Sequence, residues 1–317
     1  MVWHALTLVA QKNQYIHDLE GLAKADGLGI VFPNITKIAS YIPLPLFNAA
    51  KASKARLASY AAESIGRYEK LFAAEPDNPK LTLLTKLFNP KEETLRRIDI
   101  LAAAQGYIIA GSDTTANSLT YLLWAVCRNP SIRVRLAEEV AGLPETYRDE
   151  DLKTLPYLSQ VIKETLRLYG AAPAFLPREV TQGGAEIDGY WMPAGTEVQT
   201  QAYSMHRDAT VFPDPERFNP SRWESPSREM QNAWMPFGGG ARSTCNCSFQ
   251  NVLTDEWTVC LGLHLALMEM RLAVAGFFRA FPNAKAAMRD GFNDEEMEQV
   301  IFFLMFPKGK RCMIQAS

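Results

Sequence analysis

The chain has 317 residues, 47% apolar and 21% charged, an ordinary globular composition with material for one large core or two smaller ones. Its 33 basic and 35 acidic side chains leave a formal net charge of −2, and no basic stripe stands out, so no nucleic-acid partner is expected. The five cysteines, an odd number at irregular spacing, argue against a disulfide framework.

Residues 1–10 are apolar but stop at Gln11-Lys12, short of the roughly 20 residues of a membrane span. They lack the basic start and small-residue cleavage site of a signal peptide, so a soluble chain with no transmembrane helix is expected. Residues 1–48 are mixed, and Gly27, Gly29, Pro33, Pro43 and Pro45 are expected to break any long helix. Tyr41-Ile42-Pro43-Leu44-Pro45-Leu46-Phe47 reads as a proline-stiffened apolar loop that touches a membrane, lines a pocket or is simply buried. A helix rich in Ala, Lys, Arg and Glu is predicted over 49–74, ended by Glu75-Pro76-Asp77-Asn78-Pro79. Further helices are predicted over 91–128, 131–141 and 157–169, the first stopped by Asn129-Pro130 and the last preceded by Leu155-Pro156. Residues 186–198 read as one hairpin with glycine turns, 211–240 as an irregular layer, 261–281 as an amphipathic helix and 301–305 as a strand. The order has no βαβ alternation and predicts a mainly α fold with a small β portion.

Four constellations carry chemistry, and each alone has a plain structural reading. Ala110-Gly111-Ser112-Asp113-Thr114-Thr115 lies inside the long helix, where glycine costs about 1 kcal/mol against alanine and so usually serves close approach; taken alone, helix–helix packing at a small-residue face is the better reading. Glu164 and Arg167 share a helix face at i, i+3, a pair worth little when exposed. Phe212-Pro213-Asp214-Pro215-Glu216-Arg217-Phe218-Asn219-Pro220-Ser221-Arg222-Trp223 is held extended by its prolines. Arg217 in it either reaches a buried carboxylate or stacks at the surface. Trp234-Met235-Pro236-Phe237-Gly238-Gly239-Gly240-Ala241-Arg242 and, later, Cys260-Leu261-Gly262-Leu263-His264 pair a glycine-rich backbone with a cysteine ahead of a helix. A helix N-terminus favours a thiolate, and a thiolate is a suitable axial ligand for haem.

In this order and at these separations the four resemble the motif series of the cytochromes P-450, most strongly from Gly111 onward. The resemblance implies the C-terminal part of that mainly helical fold and a haem-thiolate monooxygenase of fungal type acting on a small apolar substrate. It implies haem b as cofactor and electrons from NADPH through an NADPH-cytochrome reductase. Intact relatives are usually anchored in the endoplasmic-reticulum membrane, and membrane contact remains open for this chain. By the same resemblance Asp113 and Thr114 are the acid–alcohol pair that delivers protons to bound dioxygen, and Glu164, Arg167 and Arg217 the buried Glu-Arg-Arg triad. Arg178 and Arg242 are expected on the haem propionates, with Gly240 in the ligand loop and Phe237 beside the ligand sulfur.

The chain departs from the family pattern in two respects. The family's early helices and anchor are not found ahead of residue 13, so the N-terminal helices are expected to be missing. The ligand motif Phe-x-x-Gly-x-Arg-x-Cys-x-Gly is split: Phe237, Gly240 and Arg242 fit, and Cys260 and Gly262 fit, with residues 244–259 between them. Deleting that stretch restores the pattern, and Ser243-Thr244 and Thr258-Val259 are compatible with splice-donor and splice-acceptor codons, so a retained in-frame intron is expected. Cys260, which keeps its place before the helix, is the expected iron ligand, with Cys245 as alternative. Cys245, Cys247, Cys260 and His264 also permit a weaker zinc reading. The alternative to an active monooxygenase is a fragment that cannot hold haem.

Overall fold

Proline opens several helices at positions where its missing N–H costs nothing, and glycine stands at the C-cap of two. The computed structural model describes residues 14–32, 45–75, 82, 84–85, 96–239, 260–288, 291–301 and 304–316. By its internal contacts the chain divides into two compact units, Met1–Asp113 and Thr114–Ser317, with the boundary inside one long helix.

The first unit holds α1 (Gln14–Val31), α2 (Pro45–Ala74) and the leading half of α3 (Arg97–Arg128). Helix α1 corrects the expectation that Gly27 and Gly29 would prevent a long helix. Leu19 and Leu22 are buried against Leu57 of α2 with Tyr15 and Ile109, and packing of an apolar face outweighs the propensity cost of two glycines. An ion pair reinforces the contact. Arg56 donates through Nε to Oδ2 of buried Asp18 at 2.8 Å, with Ser53 and Gln14 each 3.0 Å from Oδ1. These donors, Arg56 foremost, hold the Asp18 carboxyl down at about 2. The apolar loop expected over 41–47 falls partly outside the described residues; from Pro45 onward it is helix α2.

The second unit contains the rest of α3, α4 (Pro130–Ala141), the short α5 (Asp149–Lys153), α6 (Pro156–Tyr169) and α9 (Leu263–Ala280). Its core joins Leu122 and Val126 of α3, Leu136 and Val140 of α4, Leu158 and Val161 of α6, and Met270, Val274 and Phe278 of α9. Full burial of such side chains contributes about 1.5–3 kcal/mol each. Helix α6 starts at Pro156, and its next two N–H groups, of Tyr157 and Leu158, donate to the Glu139 carboxylate of α4 at 2.8 and 2.7 Å. That anion completes orphan donors where the helix dipole is positive.

Among the described residues the β portion is four small antiparallel pairs. Strand β1 (Phe175–Glu179) pairs with β4 (Glu197–Gln201), with Arg178 opposite Val198. Strands β2 (Ala185–Ile187) and β3 (Tyr190–Met192) form a hairpin whose turn residues, Asp188 and Gly189, have φ of 51° and 79°. That is the left-handed pair a two-residue type I′ turn requires. Residues 186–198 are therefore not one hairpin: it closes at Met192, and the chain returns to β1. The four-residue helix α7 (Ala202–Met205), a 3-10 turn (Pro220–Trp223) and α8 (Arg228–Ala233) follow. After α9, β5 (Lys285–Ala286) pairs with β8 (Ile314–Gln315), and β6 (Gln299–Ile301) with β7 (Met305–Pro307). The apolar run 301–305, read above as one strand, instead begins in one arm of a hairpin and ends in the other, Ile301 lying opposite Met305. The expected mainly α fold with a small β portion is thus the one observed.

Candidate functional site

Helix α6 sets up the most buried charge in the second unit. Glu164 and Arg167, three residues apart on the inward face, are both at 0% side-chain exposure. Arg167 grips the carboxylate bidentately, Nε to Oε2 and Nη2 to Oε1, each at 2.9 Å. The segment after α7 supplies the remaining donors. The Asn219 N–H reaches Oε1 at 2.8 Å, Arg222 Nε reaches Oε1 at 3.0 Å and Trp223 Nε1 reaches Oε2 at 3.0 Å. So many donors suit a carboxylate removed from water, whose lone pairs must be satisfied.

The third arm of this node is Arg222, not Arg217. The Arg217 side chain is 73% exposed and stands 3.9 Å from Asp214, whereas Arg222 is 6% exposed. Two local features turn the chain this way. Asp214 takes a left-handed φ of 51°, and Asn219 caps the 3-10 turn by accepting the Ser221 N–H at 3.2 Å. The turn aims Arg222 and Trp223 inward. Arg217 contributes its main-chain carbonyl, which accepts from Arg222 Nη2 at 3.2 Å.

His206, a residue the sequence did not single out, sits beside this node at 2% exposure. Its Nδ1 is 2.9 Å from the Arg167 carbonyl, and its Nε2 accepts the Met235 N–H at 2.8 Å. In return Arg167 Nη1 donates to the His206 carbonyl at 2.6 Å. Burial first, then the charges of Arg167 and Arg207, push the imidazole down to about 3 against the Arg167 carbonyl bond, which raises it.

From Met235 the chain turns through Gly238, whose φ of 86° favours a residue without Cβ. The Gly238 N–H closes the turn on the Met235 carbonyl at 3.2 Å. Phe237 packs against the core of the unit, edge-to-face with Trp234 at 6.4 Å. Trp234 is itself fixed by a 3.1 Å donation from Nε1 to the Lys163 carbonyl of α6. The Phe237 carbonyl then accepts the Cys260 N–H at 3.0 Å. Cys260 therefore lies next to Phe237 in space although 22 residues separate them in sequence. Its thiol is free and exposed, and helix α9 starts just beyond it, with the Leu263 N–H on the Cys260 carbonyl at 3.2 Å. A Cβ on Gly262 would lie in ordinary contact with the sulfur, 3.7 Å away.

Asp113 and Thr114 are consecutive, partly buried residues of α3. Arg178 lies on β1, its Nη1 donating to the neighbouring Pro177 carbonyl at 2.7 Å. Gly240, Arg242 and Cys245 fall outside the described residues.

The donor chemistry fits haem. Cys260 offers one open thiol ahead of a helix. Haem brings four ring nitrogens of its own and asks the protein for one further donor, which such a thiol can supply. Among the described residues no helix is long and apolar enough to cross a membrane.

The sequence model described as Cytochrome P450 matches residues 14–310. The chain is 44% identical over 307 residues to the cytochrome P450 monooxygenase tazI of Aspergillus terreus, covering 96% of this chain and 60% of that relative. It is 40% identical to the cytochrome P450 monooxygenase orf2 of Aspergillus niger, covering 90% of this chain and 55% of the relative. With the cytochrome P450 monooxygenase azaI of Aspergillus niger the identity is 39%, over 90% of this chain and 62% of the relative. The chain thus spans about 60% of the length of the curated relatives it matches.

Proposed function

The chain belongs to the cytochrome P450 family, and on that premise we propose that it is a haem-thiolate monooxygenase acting on a small apolar organic substrate. One oxygen atom of O2 enters a C–H bond of the substrate and the other leaves as water. Two electrons come from NADPH through a reductase, and two protons come from solvent. The bond from the Cys260 N–H to the Phe237 carbonyl carries this reading, because it keeps an open thiol beside the expected aromatic at the start of α9.

Bound here, haem b would supply dioxygen activation and oxygen-atom transfer. Each residue of the chain has a task around it. Cys260 would supply the sulfur that holds the iron. Phe237, whose carbonyl holds the Cys260 N–H, would stand as the aromatic of the ligand loop. Arg178 and Arg242 neutralise the propionates, a task suited to an always-charged planar group. Gly240 would serve the ligand loop as a residue without a side chain. Asp113 and Thr114 would hand on protons at the site, the Thr114 hydroxyl or an ordered water carrying the last step. Glu164, Arg167 and Arg222 fix the framework beneath the loop.

The competing reading, a chain unable to hold haem, is favoured by residues 244–259, which interrupt the ligand motif. We propose that this stretch is a retained intron; transcript sequencing that finds no junction joining Ser243 to Cys260 counts against it. Expression of the full chain with haem supplied, followed by the reduced carbon monoxide difference spectrum, tests the function. The red-shifted Soret band of thiolate ligation supports it. If that band is missing and appears on deletion of 244–259, the insert abolishes activity; its absence from both chains overturns the proposal.

A further inference from the structure

We propose that His206 is a positioning residue for the thiol site, a neutral imidazole cross-piece that ties the carboxylate node of α6 to the turn presenting Cys260. The inference rests on the reading of Cys260 as the haem ligand. A continuous series of bonds supports it. The His206 ring meets the Arg167 carbonyl at 2.9 Å through Nδ1 and the Met235 N–H at 2.8 Å through Nε2. The Met235 carbonyl takes the Gly238 N–H at 3.2 Å, and the carbonyl of the enclosed Phe237 takes the Cys260 N–H at 3.0 Å.

The partners dictate the tautomer. A backbone amide only donates and a carbonyl only accepts, so Nε2 bears the lone pair and Nδ1 the proton. Both nitrogens are thereby committed, and the ring moves no proton. Its place is fixed twice more, by Arg167 Nη1 on its own carbonyl at 2.6 Å and by Phe212, edge-to-face at 6.5 Å. Without the ring the half-buried Met235 N–H lacks its acceptor. The turn over Phe237 then loses its link to α6, and with it the placement of Cys260.

The test compares the wild-type chain with His206→Ala, His206→Gln and Leu136→Ala, the last opening a cavity elsewhere in the same core. Backbone amide exchange is followed in the haem-free chains, and the reduced carbon monoxide spectrum in the haem-loaded ones. In His206→Ala, exchange at Met235 and Cys260 should rise at least about tenfold relative to the Val161 and Val274 amides, as expected for losing a half-buried bond. The Soret band of thiolate ligation should shrink in favour of the band without the thiolate. His206→Gln, which keeps one donor and one acceptor, should recover part of both. Leu136→Ala should raise exchange throughout the core and leave the band in place. Unchanged relative exchange at Met235 and Cys260 in His206→Ala, or the same local pattern from Leu136→Ala, overturns the inference. If neither the wild type nor the chain lacking 244–259 shows a thiolate band, the Cys260 reading fails, and the exchange ratios still decide the part played by His206.

Discussion

Two stretches of the loop after α7 carry nearly the same string. Pro215-Glu216-Arg217-Phe218 and Pro220-Ser221-Arg222-Trp223 both read proline, any residue, arginine, aromatic. One arginine is 73% exposed and the other 6%, and only the second reaches Glu164. The difference lies in the backbone before each. Arg217 follows a left-handed Asp214, whereas Arg222 sits in a 3-10 turn capped by Asn219, which also sends its own N–H to Glu164. A residue pattern names the kind of group a site needs; the turn that aims it decides which copy serves.

The comparison is broken most severely at the carboxylate both strings compete for. Glu164→Ala should destabilise the second unit by about 3–5 kcal/mol, because it strands Arg167 and Arg222 as buried, unpaired charges; chemical denaturation reads this directly. Arg222→Ala comes next, at about 2–4 kcal/mol in the same assay, since it leaves Glu164 one charged donor short. A smaller effect comes from pH. His206 titrates near 3 in the fold against 6.5 when unfolded. A folded value below the unfolded one means that its contribution is complete above pH 6.5 and is lost as pH falls toward 3. The loss reaches about 2 kcal/mol at pH 5. Denaturation midpoints between pH 7 and 5 should show this fall in the wild type and a flatter profile in His206→Gln. Smallest is Arg217→Ala, within about 0.5 kcal/mol of wild type, because the node uses its carbonyl and not its guanidinium. A cost for Arg217→Ala equal to that of Arg222→Ala would erase the distinction.

Much of this was legible in the residues. Glu164 and Arg167 stand at helical spacing on a strongly amphipathic segment, and their pairing follows from that geometry. Cys260 could be preferred over Cys245 because glycine and an apolar helix follow it. What the sequence hid depends on partners distant along the chain. Helix α1 runs through two glycines because Leu19 and Leu22 find Leu57. The β6–β7 hairpin was masked by an apolar run that spans its turn. His206 belongs to no spaced motif; its partners lie 39 and 29 residues away, and only the folded chain brings a carbonyl to one nitrogen and an N–H to the other.

The central claim is that Cys260 is the thiol of a haem site. The most direct measurement is the reduced carbon monoxide difference spectrum of the haem-loaded chain beside Cys260→Ala and Cys245→Ala. The account predicts the thiolate band in the wild type and in Cys245→Ala and its loss in Cys260→Ala. A band that survives Cys260→Ala and disappears in Cys245→Ala would contradict it.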